Sequence, residues 1–173
     1  IGLITAGPVS ANVAQCLAQL TKLIVAAGGT VVAPENASLL SADAYRNAVL
    51  TAPTVLPSLA YGEHATEAGF HLMDSPTSHW VEITSGLGAT GAQIILAYIG
   101  EHPIQSHPLL PVLQITADEQ VEQRYGSDLD LVLAGDPSTW LGQISQLMVG
   151  VVSGKVKPKL HEQGNVDFQI TRG

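Results

Sequence analysis

Two short apolar runs, Ile1–Ala6 and Thr30–Ala33, bracket a stretch in which Val13, Leu17, Leu20 and Ile24 recur at helical spacing. Parallel strands cannot be joined by a tight hairpin; they need a crossover of about a dozen residues or more, usually a helix. A strand, a helix and a strand in immediate succession therefore predict a parallel sheet covered by helices. Ser10 precedes the periodic stretch, where its hydroxyl can accept from a free N–H of the first helical turn. Gly28-Gly29 supplies the stop signal at the other end. Cys16 falls on the same apolar face, which marks it as core rather than nucleophile.

The alternation continues along the chain. Ser41 is expected to begin a second, shorter helix reaching about Leu50. Thr51–Ala68 holds two prolines and little periodicity, and reads as a surface excursion. Gly69–Met73 is a predicted strand ending at Asp74-Ser75-Pro76, where Ser75 suits an N-cap and Pro76 a first helical position. Gln93–Ile99 is apolar but too short for periodicity to separate strand from helix. Leu110–Thr116 is a predicted strand with Pro111 at its start or on an edge. Ser138 is expected to cap a final helix carrying Leu141, Ile144, Met148 and Val151–Val152. The expected fold is α/β: a Rossmann-like layered domain with a mainly parallel sheet flanked by helices. Residues 1–154 form its core, and 155–173 a tail packing on the core or a neighbour.

Composition narrows the function classes. A chain of 173 residues with 46% hydrophobic and 13% charged residues suits one domain with a substantial core. Its formal net charge of −8 repels phosphate backbones, so nucleic acid is not an expected partner. A small anion would need local cations, backbone N–H groups or a metal. One cysteine allows no intrachain disulfide, and a reducing, cytoplasmic setting is expected. No apolar run approaches the ~18 residues of a membrane span, and no signal peptide is visible. The chain opens at Ile1 inside an apolar run, which points to a piece of a longer protein.

In open α/β sheets, ligands sit beyond the carboxyl ends of the strands. Glu35-Asn36, Asp74-Ser75 and Asp118-Glu119 each follow a predicted strand, and Glu101-His102 does so if Gln93–Ile99 is one. Any one such pair reads as a cap or turn; together they point to a cleft. His79 and Glu82 are three apart, which on a helix places them on one face. A carboxylate beside an imidazole can orient it for general acid/base work, the alternative being a solvated pair beside Trp80. His102 and His107 share a short loop, but spacing sets no third metal ligand. Gly86–Gly91 matches GxGxxG, which would bind a dinucleotide given a strand before it and a helix after it. Trp80–Thr84 and Ala92–Ile99 are the segments available. The acidic residue due about 20 positions on is missing, and a glycine-rich turn for close backbone packing is the plainer reading. No GxSxG, Walker or CxxC motif is present.

Several segments, in order, resemble the C-terminal domain of the altronate/galactarate (sugar-acid) dehydratase family. Ser10-Ala11-Asn12, the helix after it and Ala27-Gly28-Gly29-Thr30 are similar to that domain's opening, with Glu35 matching the acid after its strand. Gly69–Pro76, GFHLMDSP, resembles Gly-Leu-x-x-Met-Asp-Thr-Pro. Thr84 and Gly100 match a Thr and the first Gly of a Thr-Gly-Arg-Gly loop. Asp128-Leu129-Asp130 with Gly135, and Ser153-Gly154-Lys155 through Phe168, resemble its later segments. The chain also departs from the pattern. Ala6-Gly7-Pro8-Val9 stands where the family has Cys-Gly-Gly-Ser-Asp, a family segment is missing near Leu50–Pro53, and Glu101 and His102 replace Arg and Gly.

The resemblance implies loss of water from an aldonate or aldarate to give a 2-keto-3-deoxy acid, with iron or manganese as the metal cofactor. His79 and Glu82, which stand where the family has other residues, are with Asp74 the candidates for the proton chemistry. Ser75, Thr84, Ser85, Gly86, Asn12, Glu35, Glu101 and His102 are the candidate substrate-binding residues. A small β-rich N-terminal domain, or a separate subunit in its place, is the implied partner, and a homo-oligomer is expected. A sugar-acid-binding or assembly module without catalysis is the first alternative function, and a dinucleotide-binding enzyme built on Gly86–Gly91 the second.

Overall fold

The apolar runs become strands buried on both faces. In the computed structural model, which describes residues 1–52 and 55–169, the strands and helices follow one another in chain order. They are β1 (Gly2–Ala6), α1 (Ala11–Ala26), β2 (Thr30–Pro34), α2 (Asp43–Tyr45), β3 (Gly69–Met73), α3 (Trp80–Ala89), β4 (Ile95–Ile99), β5 (Val112–Thr116), α4 (Glu119–Tyr125), β6 (Leu131–Val132), α5 (Trp140–Val152) and α6 (Lys159–Glu162). All six strands are parallel, in the order β3-β2-β1-β4-β5-β6. Chain order reverses between β1 and β4, the switch point of a doubly wound sheet.

Side chains alternate across each strand and fill two separate cores. Leu3, Val31, Phe70, Leu96 and Leu113 face α1, α2 and α5. Ile4, Val32, Ile95, Ala97 and Val112 face α3 and α4. This is why the strands read as continuous apolar runs rather than alternating ones. Each fully buried Leu or Ile removes apolar surface worth about 1.5–3 kcal/mol from water.

Ser10 caps α1 as its position predicts: its Oγ accepts from the Val13 N–H at 3.4 Å. Other boundaries differ from the sequence reading. Ser38–Ser41 forms a 3₁₀ turn, and the second helix starts at Asp43, continuing as a π-helical turn over Arg46–Leu50. Ser75-Pro76 does not start a helix. Asn36 Nδ2 donates to the Thr77 carbonyl at 3.0 Å, and Thr77 Oγ1 accepts from the His79 N–H at 3.0 Å. These bonds hold the corner extended until Trp80. Gln93–Ile99 resolves into β4, because its neighbours β1 and β5 offer paired edges on both sides. The final helix is led in by Asp136, whose carboxylate accepts from the Ser138 N–H at 2.9 Å, rather than by Ser138. α4 and β6 had no counterpart in the sequence reading. Pro53, at the shortened Leu50–Pro53 corner, and the last four residues of the tail lie outside the described residues.

The excursion before β3 covers that edge strand. The Leu56 N–H donates to the Phe70 carbonyl and the Leu59 N–H to the Leu72 carbonyl. The tail folds back over the other side of the molecule. Leu160 is buried, the Lys159 N–H donates to Asp130 at 2.8 Å, and Val166 bridges to Ser106. No helix among the described residues is long and apolar enough to cross a membrane.

Candidate functional site

A parallel sheet delivers every strand's carboxyl end to one edge, so the polar corners gather there by construction. Asp74 and Ser75 follow β3, Glu35 and Asn36 follow β2, Gly100 to His102 follow β4, and Asp118 follows β5. The Asn36–Thr77 hydrogen bond ties the β2 and β3 corners together. Ser38 Oγ donates to the Gly7 carbonyl at 2.7 Å and packs against Thr5 Oγ1, tying the β2 corner to the end of β1. Asp74, Glu35, Glu101 and His102 are exposed along this edge.

Not all of these groups are free. Asp118 Oδ1 accepts from the Gln120 and Val121 N–H groups at 2.7 and 3.1 Å, so this carboxylate is the N-cap of α4. Glu101 and His102 form an exposed pair at 3.7 Å. With strands about 4.8 Å apart, the Asp74 corner and the Gly100 corner, three strands away, lie about 14 Å apart. They share an edge but not a contact.

At the switch point itself the edge is closed. The Gly100 N–H donates to the Ala6 carbonyl at 2.7 Å, and a Cβ on Gly100 would overlap the Pro8 carbonyl oxygen. Gly7, at φ +101, would bring a Cβ to 2.9 Å from the Glu101 nitrogen. The loops after β1 and β4 thus meet backbone to backbone. Glu35 and Asp74 are exposed to the β2–β3 side of this point.

His79 and Glu82 flank the start of α3 on that side. His79 occupies the N-cap position with extended backbone, and Glu82 lies three residues on, in the first turn. Among the described residues no hydrogen bond or ion pair joins them. Their proximity is that of successive positions at one helix start, not of a formed dyad.

Thr84, Ser85 and Gly86 require a correction. They were candidate substrate-binding residues, but they lie inside α3 rather than in a loop at the edge. Thr84 is 1% exposed and its Oγ1 donates to the Val81 carbonyl at 3.0 Å. Ser85 Oγ also donates to the Val81 carbonyl, at 2.9 Å. The dinucleotide reading of Gly86–Gly91 falls with it, since Gly86 and Gly88 are helical and no strand leads into them. Gly86 is small for packing: a Cβ there would lie 2.5 Å from Tyr61 Cε2. Asn12 is exposed in the first turn of α1 and lines a small pocket with Cys16 and Pro137, apart from the β2–β3 corners.

Two groups have surroundings that the sequence reading did not give them. His107 is 2% exposed; its Nδ1 accepts from the Leu109 N–H at 3.1 Å, and burial lowers its proton affinity. Asp130 binds two backbone N–H groups, those of Gln114 at 2.7 Å and Lys159 at 2.8 Å. Burial pushes its carboxyl up from the ordinary value, with the two hydrogen bonds opposing. The sequence named His107 only as a loop histidine and Asp130 only within a family-like segment, because burial depends on loops and tail that local patterns do not place.

The donor set bears on the iron or manganese that the resemblance implies. Among the described residues no three His, Cys, Asp or Glu side chains converge. Glu101 with His102 supplies two donors, and Asp118 is committed to its helix cap. The described residues therefore do not form a metal cage by themselves.

Among curated proteins, no sequence matches the chain. The family described as D-galactarate/altronate dehydratase, C-terminal, matches residues 51–173. That span holds GFHLMDSP, Thr84, Gly100 and the Asp128–Asp130 segment; the resembling residues at Ser10–Asn12, Ala27–Thr30 and Glu35 precede it. Through more than half of its length, the chain belongs to the D-galactarate/altronate dehydratase C-terminal family.

Proposed function

We propose that this chain is the C-terminal part of a hydro-lyase that removes water from an aldonate or aldarate, yielding a 2-keto-3-deoxy acid. The family match over residues 51–173 carries this reading. The β2–β3 side of the carboxyl edge supports it by bringing Asp74, Ser75, Glu35 and the His79–Glu82 helix start to one region. Elimination next to a carboxylate requires a base for the α-proton and an acid for the departing hydroxyl. His79, exposed at a helix start, is the side chain best placed to carry a proton there. Asp74 and Glu82 stand within the same corner and helix turn to orient it or the substrate's hydroxyls.

Charge shows what this chain does not supply. The corners at 35–36, 74–79 and 100–102 contain carboxylates and histidines but no Lys or Arg. An acidic substrate is repelled by such a surface unless cations come from elsewhere. We infer that the cationic support for the substrate carboxylate, whether basic side chains or iron or manganese, is completed by residues outside those described, such as a β-rich N-terminal domain or a second subunit.

The test is a panel of aldonates and aldarates incubated with the protein in its full reading frame, with Fe(II) or Mn(II). Formation of a 2-keto-3-deoxy acid from at least one member is expected. Thermal stabilisation by a sugar acid with no product from any member would favour the binding or assembly module instead. The missing His79–Glu82 contact and the two-donor Glu101–His102 pair motivate that second reading.

A further inference from the structure

A cavity of about 350 Å³ lies away from the carboxyl edge, between the middle of α3 and the loop leading into β5. We propose that it binds a small, uncharged, planar aromatic molecule carrying one hydrogen-bond acceptor. An acceptor there would engage His107 Nε2–H.

Three observations lead to that ligand class. The first is shape. Tyr61, His107 and Phe168 contribute rings to the wall, Leu109 and Leu110 add apolar surface, and Gly86, Gly88 and Ala89 keep the α3 side flat. The Phe168 ring meets the His107 ring edge-on at 5.3 Å. Aromatic groups favour offset or edge-on partners of this kind. A void of about 150 Å³ already holds benzene, so this one suits a two-ring molecule.

The second is charge. No Asp, Glu, Lys or Arg lines the cavity. A carboxylate would lose its hydration without a counter-charge, which disfavours sugar acids here. The site is therefore distinct from the proposed dehydratase edge and does not depend on that reading.

The third is a donor with an incomplete partner. His107 Nδ1 accepts from the Leu109 N–H, so the ring proton sits on Nε2. Among the described residues the one partner of Nε2 is Ser85 Oγ at 3.4 Å, a long contact, and the Ser85 hydrogen is already directed to the Val81 carbonyl. This tautomer also excludes a serine nucleophile, because Nε2 offers Ser85 a proton rather than taking one. A ligand acceptor would complete what Ser85 satisfies poorly.

Quinoline and naphthalene share a shape and differ by one ring nitrogen, so they make the test. We expect quinoline to bind about fivefold more tightly than naphthalene, the effect of one ordinary hydrogen bond. Galactarate should not bind at this cavity. In long-range 1H–15N spectra, quinoline should shift His107 Nε2, and naphthalene should leave it in place. Ala89→Phe, at an exposed helix end facing the cavity, should abolish binding with the fold intact by circular dichroism. Ser85→Ala should retain binding. Absence of quinoline binding at millimolar concentration, or binding that survives Ala89→Phe, would overturn the proposal. So would a concentration-dependent dimer dissociated by Ala89→Phe, which would make a second copy the occupant.

Discussion

Gly100 lies so close to Pro8 that a single added carbon would overlap the Pro8 carbonyl oxygen. The two residues belong to the loops after β4 and β1, the neighbours between which the sheet reverses its order. In doubly wound sheets that reversal splays the loops apart and opens a ligand crevice. Here a bare α-carbon lets them close. Exposed polar corners lie on both sides of this point, Glu101 and His102 after β4 and Glu35 and Asp74 at the ends of β2 and β3.

Gly100→Ala should therefore act as an overpacking substitution in the backbone, not as a change in a binding side chain. The neighbouring atoms are main chain and cannot rotate aside. We expect a loss of about 1–3 kcal/mol in chemical denaturation. An unchanged urea midpoint would show that the two loops separate easily and that the switch point is available to ligands.

The proposed site separates residues by role in a way kinetics can read. His79→Ala should lower turnover by about 100-fold or more, the usual effect of losing a positioned proton carrier. Thr84→Val should leave turnover within a few-fold of the parent and cost about 1 kcal/mol of stability, since its hydroxyl donates to the Val81 carbonyl of its own helix. The reverse pattern, an inert His79→Ala and a dead Thr84→Val, would move the chemistry from the edge to the interior of α3.

How much of this was legible in the sequence follows from how local each signal is. β1, α1, β2, β3 and β5 were readable because burial on two faces writes itself as continuous apolar runs, and Ser10 caps by a bond three residues long. α3 was misread because Gly86 and Gly88 look like a turn in one dimension. Their small size answers to Tyr61 and Leu110, distant in the chain. α4 was overlooked although Asp118 followed by Glu119, Val121 and Glu122 is a cap and an acidic first turn. Asp74, Glu35 and Glu101 could be assigned to one edge as soon as the sheet was taken as parallel. The closure at Gly100, and the exclusion of Thr84 from that edge, depend on packing between loops and helices that no periodicity encodes.

Asp130 fastens the tail to the sheet with a different oxygen for each partner: Oδ2 accepts from Gln114 N–H and Oδ1 from Lys159 N–H. Asparagine would keep one acceptor and turn an N–H group toward the other donor. Asp130→Asn should therefore destabilise the fold by about 1–3 kcal/mol, and limited proteolysis should cut the Lys155–Lys159 segment faster. Burial raises the folded-state proton affinity of Asp130 above the ordinary 3.8. The native state then binds more protons than the unfolded one between those values, so this group's contribution to stability falls as pH rises through that window. The parent should show this slope and the variant should lack it. Equal slopes would mean that the tail, not Asp130, sets the acid response.

His107 gives the opposite sign. Its Nδ1 is an acceptor for the Leu109 N–H, which only a neutral ring can provide. Protonation would turn N–H against N–H, and burial already holds the imidazole below its ordinary value of 6.5. The unfolded chain binds the proton more readily, so stability from this group is complete above 6.5 and is lost as pH falls through the depressed folded value. His107→Asn offers a carbonyl oxygen to Leu109 N–H and removes the titration. Urea midpoints of the parent minus those of His107→Asn, followed from about pH 8 to about pH 5, should be flat at first and then decline. A difference that rises toward acid would mean that the ring is protonated in the fold and that the Leu109 contact does not fix its tautomer.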